Sequence, residues 1–292
     1  MKDARGRLIA RNVLKSLKKM LEINKVYNQD CLDFLKQIDN ESIDLVIVDP
    51  PYNLQKFDYG NQSDFQGDRE YKEWCKKWIT EIGRVLKREG SLYCWTSRQY
   101  VGFFQEELSK LLQYRNTIIW SYGRGAQYRK ELNYGDRYEP CLFFTKSDAY
   151  CFNKERYFIP FDPEALIGNV RNLKLLAFYK KQSPEVLKKI YQRMKEHGKF
   201  MINVWDDIGH LHNNEKITGH LNEKPVRLIE RCVLMSSNEG DLVLDCFGGS
   251  GTTYMAALKN KRNYIGCEIE ENWHNKICQR IQNYNSNLKH GD

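Results

Sequence analysis

The feature of this sequence that most constrains the fold is a short apolar run that ends abruptly. Residues 42–48 read Ser-Ile-Asp-Leu-Val-Ile-Val, and Asp49-Pro50-Pro51-Tyr52 follows directly. A continuous run rich in β-branched side chains is typical of a strand buried in a parallel sheet. Proline has no backbone N–H, so two successive prolines end such a strand. The pattern therefore predicts a buried strand whose carboxyl end carries Asp49 and Tyr52 into a loop.

The rest of the chain alternates between strand and helix patterns. Strands are predicted at 91–96, 117–120, 241–246 and 263–268, and helices at 68–88, 99–113, 184–197, from 223, from 252 and up to 285. This alternation indicates an α/β fold with a doubly wound, mostly parallel sheet. Between 121 and 200 the alternation fades, and we interpret these residues as an inserted subdomain.

The charge of the chain is unevenly distributed. The formal net charge is +8, from 46 basic and 38 acidic residues. Residues 1–19 hold seven basic side chains and one acidic one, whereas residues 121–200 hold 16 and 9 together with 15 aromatic residues. Cations beside aromatic rings suit phosphates and unstacked bases. A solvated basic face over an aromatic core would give the same composition, so both interpretations stay open.

Composition argues against several other classes of protein. No run approaches the ~20 apolar residues of a membrane span, and the basic N-terminal segment lacks the apolar core of a secretory signal. We therefore expect a cytoplasmic protein. The nine cysteines include no Cys-x-x-Cys pair, which favours reduced thiols. His210, His212 and His220 lie close together, but the first two would point to opposite sides of a strand, and no metal site is expected.

A second informative loop follows the apolar residues 242–244. It reads Asp-Cys-Phe-Gly-Gly-Ser-Gly-Thr-Thr at 245–253 and opens a predicted helix, an arrangement that lets the main chain approach a ligand closely. It has neither the lysine of a P-loop nor the spacing of a dinucleotide-binding loop. The next strand ends in Glu268, whose carboxylate can accept hydrogen bonds from two ribose hydroxyls. The pattern predicts an adenosine-type site.

The tetrapeptide Asp49-Pro50-Pro51-Tyr52 suits different chemistry. The exocyclic amine of a base is a poor nucleophile, because its lone pair is conjugated with the ring. The Asp49 carboxylate and the Pro50 carbonyl would accept both N–H groups and favour a pyramidal nitrogen, while Tyr52 offers a face on which a flipped base can stack. The alternative is a strand-ending turn in which Asp49 caps a helix. These four residues in this order favour catalysis.

These two loops, with His-Leu-Asn-Glu-Lys-Pro at 220–225, resemble the motifs of the β class of S-adenosylmethionine-dependent amino DNA methyltransferases. The sequence is similar to the adenine-N6 enzymes of bacterial restriction/modification systems over residues 20–281. In this class the catalytic tetrapeptide precedes the cofactor loop, whereas most methyltransferases have the reverse order. The resemblance implies a Rossmann-like methyltransferase fold with permuted motif order.

The resemblance also implies roles for individual residues. The catalytic residues would be Asp49, Pro50, Pro51 and Tyr52. The residues that bind S-adenosylmethionine would be Asp30, Cys31, Lys224, Phe247, Gly248, Gly249, Ser250, Gly251, Thr252 and Glu268. Asp30 would meet the adenine amine of the cofactor, Glu268 its ribose and Lys224 its carboxylate, although the family has other residues at 29, 222 and 223. Asp30 is equally explained as a helix N-cap, and Trp205 either closes the substrate cleft or belongs to the core.

The implied activity is transfer of a methyl group from S-adenosylmethionine to the N6 amine of adenine in duplex DNA, by base flipping. Asp rather than Ser at the start of the tetrapeptide favours adenine over cytosine-N4, which stays an alternative. A DNA-binding subunit without catalysis is the alternative from another class. Intact catalytic and cofactor motifs argue against it.

The implied organisation has three parts. These are a basic, flexible N-terminal extension at 1–19, a catalytic domain at 20–120 and 201–292, and a target-recognition region at 121–200. DNA contacts are predicted for Arg124, Arg129, Lys130 and Arg137. Double-stranded DNA is the expected partner, while a restriction endonuclease for the same site and a homodimer stay open.

Overall fold

The computed structural model describes residues 21–53, 67–121, 137–153, 202–211, 215–220 and 222–290, with Ser183, Glu185, Val186 and Lys189. These segments form one eight-stranded sheet in the order β1-β8-β7-β2-β3-β5-β4-β6. The strands are β1 (Lys25–Asn28), β2 (Ile43–Val48), β3 (Leu86–Trp95), β4 (Gln113–Ser121), β5 (Tyr138–Thr145), β6 (Val204–Trp205), β7 (Leu242–Asp245) and β8 (Asn263–Glu268).

The sheet is mostly parallel. β1, β8, β7, β2 and β3 run parallel to one another. β5 lies antiparallel between β3 and β4, and β6 pairs in parallel with the outer edge of β4.

Helices cover both faces of this sheet. The described helices are α1 (Cys31–Leu35), α2 (Asp68–Val85), α3 (Val101–Ser109), α4 (Val226–Ser236), α5 (Thr252–Lys259) and α6 (Glu271–His290), with a 3-10 turn at Arg98–Tyr100. Buried side chains of α1, α2 and α3 form one hydrophobic core, and those of α4, α5 and α6 form the other. The predicted doubly wound α/β fold is therefore confirmed.

Strand β2 explains why the run at 42–48 is apolar at nearly every position. Val46 and Val48 belong to the first core, whereas Leu45 and Ile47 belong to the second, and all four are at most 1% exposed. Successive side chains of a strand point to opposite faces. A central strand between two helical layers therefore needs apolar residues on both of its faces.

Several elements differ from the sequence prediction. α2 ends at Val85 rather than 88, because Leu86 is already extended and pairs with Ile43 in the sheet. α4 begins at Val226 rather than 223, since Pro225 is extended at its N-cap. Strand β1, which pairs with the edge of β8, was not predicted.

The interpretation of 121–200 as an insertion needs a correction at β5. Tyr138–Thr145 is part of the central sheet, and Cys141, Leu142 and Phe144 within it are fully buried. Pro140 lies inside this strand, and a proline is a signal against a central strand. Residues 122–136 and 154–182 lie outside the described segments, as do residues 1–20 and most of the helix predicted at 184–197. Arg124, Arg129 and Lys130 are among those residues.

None of the described helices has the length and apolar character needed to span a membrane. All nine cysteines lie in described segments and are free thiols. Seven of them are buried, where they pack as small apolar side chains.

Candidate active site

A cavity of about 540 Å³ opens at the carboxyl edge of the parallel strands, where ligands of open α/β sheets bind. The predicted site residues that line it are Asp30, Cys31, Asp49, Pro50, Pro51, Tyr52, Lys224, Phe247, Gly248, Gly249, Ser250, Thr252 and Glu268. Gly251 lies behind this lining as the N-cap of α5, with φ 75°. Arg137 is exposed and precedes β5.

The Asp49 carboxylate, directly after β2, holds two donors. Lys224 Nζ donates to Asp49 Oδ2 at 2.5 Å, and Tyr52 Oη donates to Asp49 Oδ1 at 2.7 Å. Lys224 precedes α4 and is only 6% exposed. The structure thus places the Lys224 ammonium on the Asp49-Pro50-Pro51-Tyr52 loop. Its role as a ligand of the cofactor carboxylate stays a prediction.

Glu139 completes this cluster and was missed by sequence analysis. Its Oε2 lies 3.1 Å from Lys224 Nζ and accepts a hydrogen bond from Tyr52 Oη at 3.2 Å. The Trp95 ring lies on another side of the ammonium, with its centroid 5.1 Å from Lys224 Nζ. A single glutamate in a basic, aromatic segment forms no motif. Only the pairing of β5 with its neighbours brings Glu139 here.

The charges of this cluster stabilise one another. Burial alone would lower the pKa of Lys224, but the carboxylates of Asp49 and Glu139 outweigh it and raise that pKa above its ordinary value. Burial, helped by the same carboxylates, raises the pKa of Tyr52 well above its usual range. At neutral pH the lysine is therefore an ammonium and the tyrosine a neutral phenol.

The glycine loop after β7 is held through its main chain. Phe247 N donates to Asp245 Oδ1 at 2.9 Å, and Gly249 N donates to Glu268 Oε2 at 2.7 Å. Gly249 has φ 49°, in the left-handed region that glycine adopts without steric penalty. A Cβ at Gly248 would lie 3.0 Å from the Cys267 carbonyl oxygen. The loop therefore packs closely against the end of β8.

A buried ion pair ties this loop to distant parts of the chain. Arg280 Nη1, on α6, donates to the Ser250 carbonyl at 2.7 Å and lies 3.1 Å from Glu223 Oε1. Glu223 Oε2 accepts from Thr218 N and Oγ1 at 3.1 and 2.7 Å. Arg280 and Glu223 are 7% and 3% exposed. Glu223 thus anchors the segment that carries Lys224.

Asp30 combines the two interpretations that the sequence allowed. It is the N-cap of α1, and its Oδ1 accepts from Leu32 N at 2.8 Å and from Asp33 N at 3.3 Å. Both bonds use the same oxygen, so Oδ2 keeps its acceptor capacity. Because Asp30 also lines the cavity, it can cap the helix and bind a ligand.

Buried acids give the cavity its electrostatic character. Burial raises the pKa of Asp245, which is 4% exposed, to about 7. Burial also raises the pKa of Glu268, although Glu270 N and Gly249 N donate to it and act in the opposite direction. Carboxylates that lack full solvation favour a cationic ligand.

Aromatic side chains supply flat walls. Trp74 and Phe247 pack with ring centroids 5.7 Å apart, and His220 and Trp273 pack at 4.6 Å. All four line the cavity. Trp205 instead lies in the core, 4% exposed, where its indole N–H donates to the Ile202 carbonyl.

In the described segments, no group of three or more His, Cys, Asp or Glu side chains is arranged to hold a metal ion. The predicted residues that meet in the cavity are those of the tetrapeptide, the glycine loop and the ends of two further strands, together with Lys224. Trp95 and His220 also line the cavity, and Glu139 contacts Lys224 beside it, although none of the three was predicted as a site residue.

Known proteins share this combination of sequence and fold. Residues 43–279 match the N6_N4_Mtase family model, described as DNA methylase. The chain is 34% identical over 264 residues to the Type II methyltransferase M1.MboII of Moraxella bovis, covering 88% of this chain and 96% of that protein. It is 35% identical over 254 residues to the DNA adenine methyltransferase YhdJ of Escherichia coli (strain K12), covering 86% and 80%.

Two solved structures share the fold. The M1.HpyAVI–SAM complex is 19% identical with a TM-score of 0.58, covering 88% of this chain and 98% of that chain. PvuII DNA methyltransferase (cytosine-N4-specific) is 17% identical with a TM-score of 0.63, covering 94% and 95%. At these identities the likeness shows the fold alone.

Proposed function

This chain belongs to the DNA methylase family, and from that premise we propose that it transfers a methyl group from S-adenosylmethionine to the N6 amine of adenine in duplex DNA. The observation that carries the proposal is that the Asp49-Pro50-Pro51-Tyr52 loop and the glycine loop open into one cavity. A relative at 35% identity is named a DNA adenine methyltransferase. Adenine is therefore favoured over cytosine.

S-adenosylmethionine fits this cavity in charge and size. Its sulfonium and ammonium cations exceed its single carboxylate, so it carries a net positive charge. The described lining offers the ammonium of Lys224 and carboxylates from Asp30, Asp49, Asp245, Glu268 and Glu270. The volume of about 540 Å³ lies within the range of roughly 300–1,000 Å³ for small-molecule sites.

Individual residues suit the parts of the cofactor. Each Glu268 oxygen accepts one main-chain N–H, which leaves lone pairs for two ribose hydroxyls. Asp30 Oδ2 suits the adenine amine, and the rings of Trp74 and Phe247 suit its faces. When bound, S-adenosylmethionine supplies an electrophilic methyl group.

The target amine is served by Asp49 and the Pro50 carbonyl, which accept its two N–H groups and pyramidalise the nitrogen. Tyr71 Oη donates to the Pro51 carbonyl at 2.7 Å and thereby fixes the course of the loop. Catalysis of this kind depends on alignment, which supplies ~7–11 kcal/mol in well-oriented reactions. An anchored, proline-rich loop provides that rigidity.

We further propose that 121–200, outside β5, recognises the target sequence. Arg137 is exposed two residues before Glu139, and the Arg98 guanidinium lies 5.6 Å from the Tyr138 ring centroid. Cations beside aromatic rings suit phosphates and an extruded base. A cytoplasmic location, a restriction endonuclease for the same site and a homodimer complete the proposal.

The proposal is tested with Asp49→Asn and Asp49→Ala in single-turnover methylation of duplex DNA. Removal of a preorganised acceptor is expected to lower the rate by about 100-fold or more, while S-adenosylhomocysteine affinity stays within about threefold, because Asp49 serves the target. The exposed Asp148→Ala is the control. Methylation by the Asp49 variants at the wild-type rate would contradict the assignment, and sequencing the product identifies the methylated base.

A further inference from the structure

Both oxygens of the Asp49 carboxylate accept hydrogen bonds from other side chains. Its Oδ2 accepts from Lys224 Nζ at 2.5 Å and its Oδ1 from Tyr52 Oη at 2.7 Å. On the proposed function, on which this inference rests, the same carboxylate must accept a hydrogen bond from the target amine. In the transfer the amine lone pair would form the bond to the methyl group as the methyl–sulfur bond breaks and S-adenosylhomocysteine is left, so the nitrogen gains positive charge until one of its protons passes to solvent. An ammonium held on Asp49 opposes that charge.

Both donors on Asp49 have a second acceptor within reach. Glu139 Oε2 lies 3.1 Å from Lys224 Nζ and 3.2 Å from Tyr52 Oη. A small shift of these two donors toward Glu139 would free both oxygens of Asp49. The exchange keeps the buried ammonium paired with a carboxylate, so it avoids the cost of an isolated buried charge.

Glu139 is held where this exchange needs it. It lies in β5, paired with Trp120 of β4, and β5 also pairs with β3 from Cys141 onward. Asp49 and Tyr52, by contrast, lie in the loop after β2. Glu139 therefore stays in place as an alternative acceptor when the hydrogen bonds on Asp49 change.

The other titratable group facing Glu139 among the described residues is His210, whose Nε2 lies 3.9 Å from Glu139 Oε1. Burial lowers the pKa of His210, so its ring is neutral at pH 8. Lys224 is then the cation that Glu139 neutralises.

We propose that Glu139 is a positioning residue that takes Lys224 and Tyr52 from Asp49 when the target amine binds. Glu139 does not contact the reacting atoms in this proposal. It acts by clearing the Asp49 carboxylate and by keeping the Lys224 charge away from the amine nitrogen.

The test compares single and double variants in single-turnover methylation at pH 8 with saturating cofactor and DNA. Glu139→Gln removes the competing charge, so Lys224 stays on Asp49, and the rate is expected to fall by about 100-fold. S-adenosylhomocysteine affinity and Tm should stay close to wild type. The conservative Glu139→Asp should recover much of the rate, and the exposed Glu106→Gln is the matched control.

The decisive readout is the double variant Glu139→Gln/Lys224→Met. With no ammonium left to occupy Asp49, the double variant should methylate at least about tenfold faster than Glu139→Gln alone, which is strong coupling in a double-mutant cycle. A merely structural role for Glu139 would make the double variant as slow or slower, and that result overturns the inference. So does a wild-type rate for Glu139→Gln. If the wild-type protein itself methylates no adenine, the proposed function fails first.

Discussion

The two loops that meet in the cavity are held in different ways. The charged contacts of the loop after β2 join side chains to side chains. Lys224 donates a hydrogen bond to Asp49 and also contacts Glu139. In the loop after β7 the main chain itself is held. The Gly249 N–H donates to the Glu268 carboxylate, and the Ser250 carbonyl accepts from the Arg280 guanidinium. One edge of the sheet thus supports a loop whose charged bonds can be exchanged and a loop whose shape is fixed.

This difference matches the work that each loop would do. A cofactor keeps its shape during the reaction, so a rigid main-chain cradle suits it. A target amine changes its charge, and the groups around it must respond. If the glycine loop serves only the cofactor and the loop after β2 serves the target amine, substitutions near the glycine loop should alter folding and cofactor affinity. They should leave the rate of the methyl-transfer step unchanged.

The largest effect is expected from Arg280→Met. This change removes the donor on the Ser250 carbonyl and leaves Glu223 buried without its ion-pair partner, which costs about 3–5 kcal/mol in the free energy of unfolding. Chemical denaturation measures this loss. Lys36→Met is the control, because it breaks only an exposed pair with Asp33, which contributes little to stability. Equal losses in the two variants would mean that the glycine loop needs no distant tether.

A smaller, pH-dependent effect is expected from Asp245→Asn. The pKa of this carboxyl is about 7 in the folded protein, above its ordinary value, so the folded state holds a proton that the unfolded state has released. Wild-type stability therefore falls as pH rises through this window. Asparagine does not titrate, so the variant loses no such stability. The difference in free energy of unfolding, variant minus wild type, should therefore be about 2–3 kcal/mol larger at pH 8 than at pH 5.

Denaturation at the two pH values, with the exposed Asp148→Asn as control, measures this shift. A relative stability of Asp245→Asn that does not change with pH would show that the glycine loop carries no costly charge. The two loops would then differ more than the pKa of Asp245 implies, because only the cluster around Asp49 would carry buried charge.

The smallest effect is expected from Glu268→Gln. Glutamine keeps one acceptor oxygen and loses the other, so S-adenosylhomocysteine affinity should fall about tenfold, or about 1.4 kcal/mol. Isothermal titration measures the affinity, with the exposed Glu271→Gln as control. The single-turnover rate at saturating cofactor should not change. A slower transfer step with unchanged affinity would show that the cofactor-binding loop also takes part in methyl transfer, and would contradict the separate roles of the two loops.

Much of this site could be predicted from local patterns. The tetrapeptide and the glycine loop each follow an apolar strand, and Glu268 ends the strand after the glycine loop. Each motif can therefore be recognised from about ten neighbouring residues. Strand β5 could not be predicted in this way, because Pro140 and the surrounding aromatic and charged residues hide its pattern. Glu139 was missed with it.

The sequence by itself determined which residues end buried strands, because strand periodicity and proline or glycine turns depend on neighbouring residues only. Only the tertiary structure decided which of those residues share a bond. Lys224 and Asp49 are 175 positions apart, and Glu139 is 87 positions from Tyr52. Their contacts depend on the order of strands in the sheet, which is set by the packing of two hydrophobic cores rather than by any local pattern.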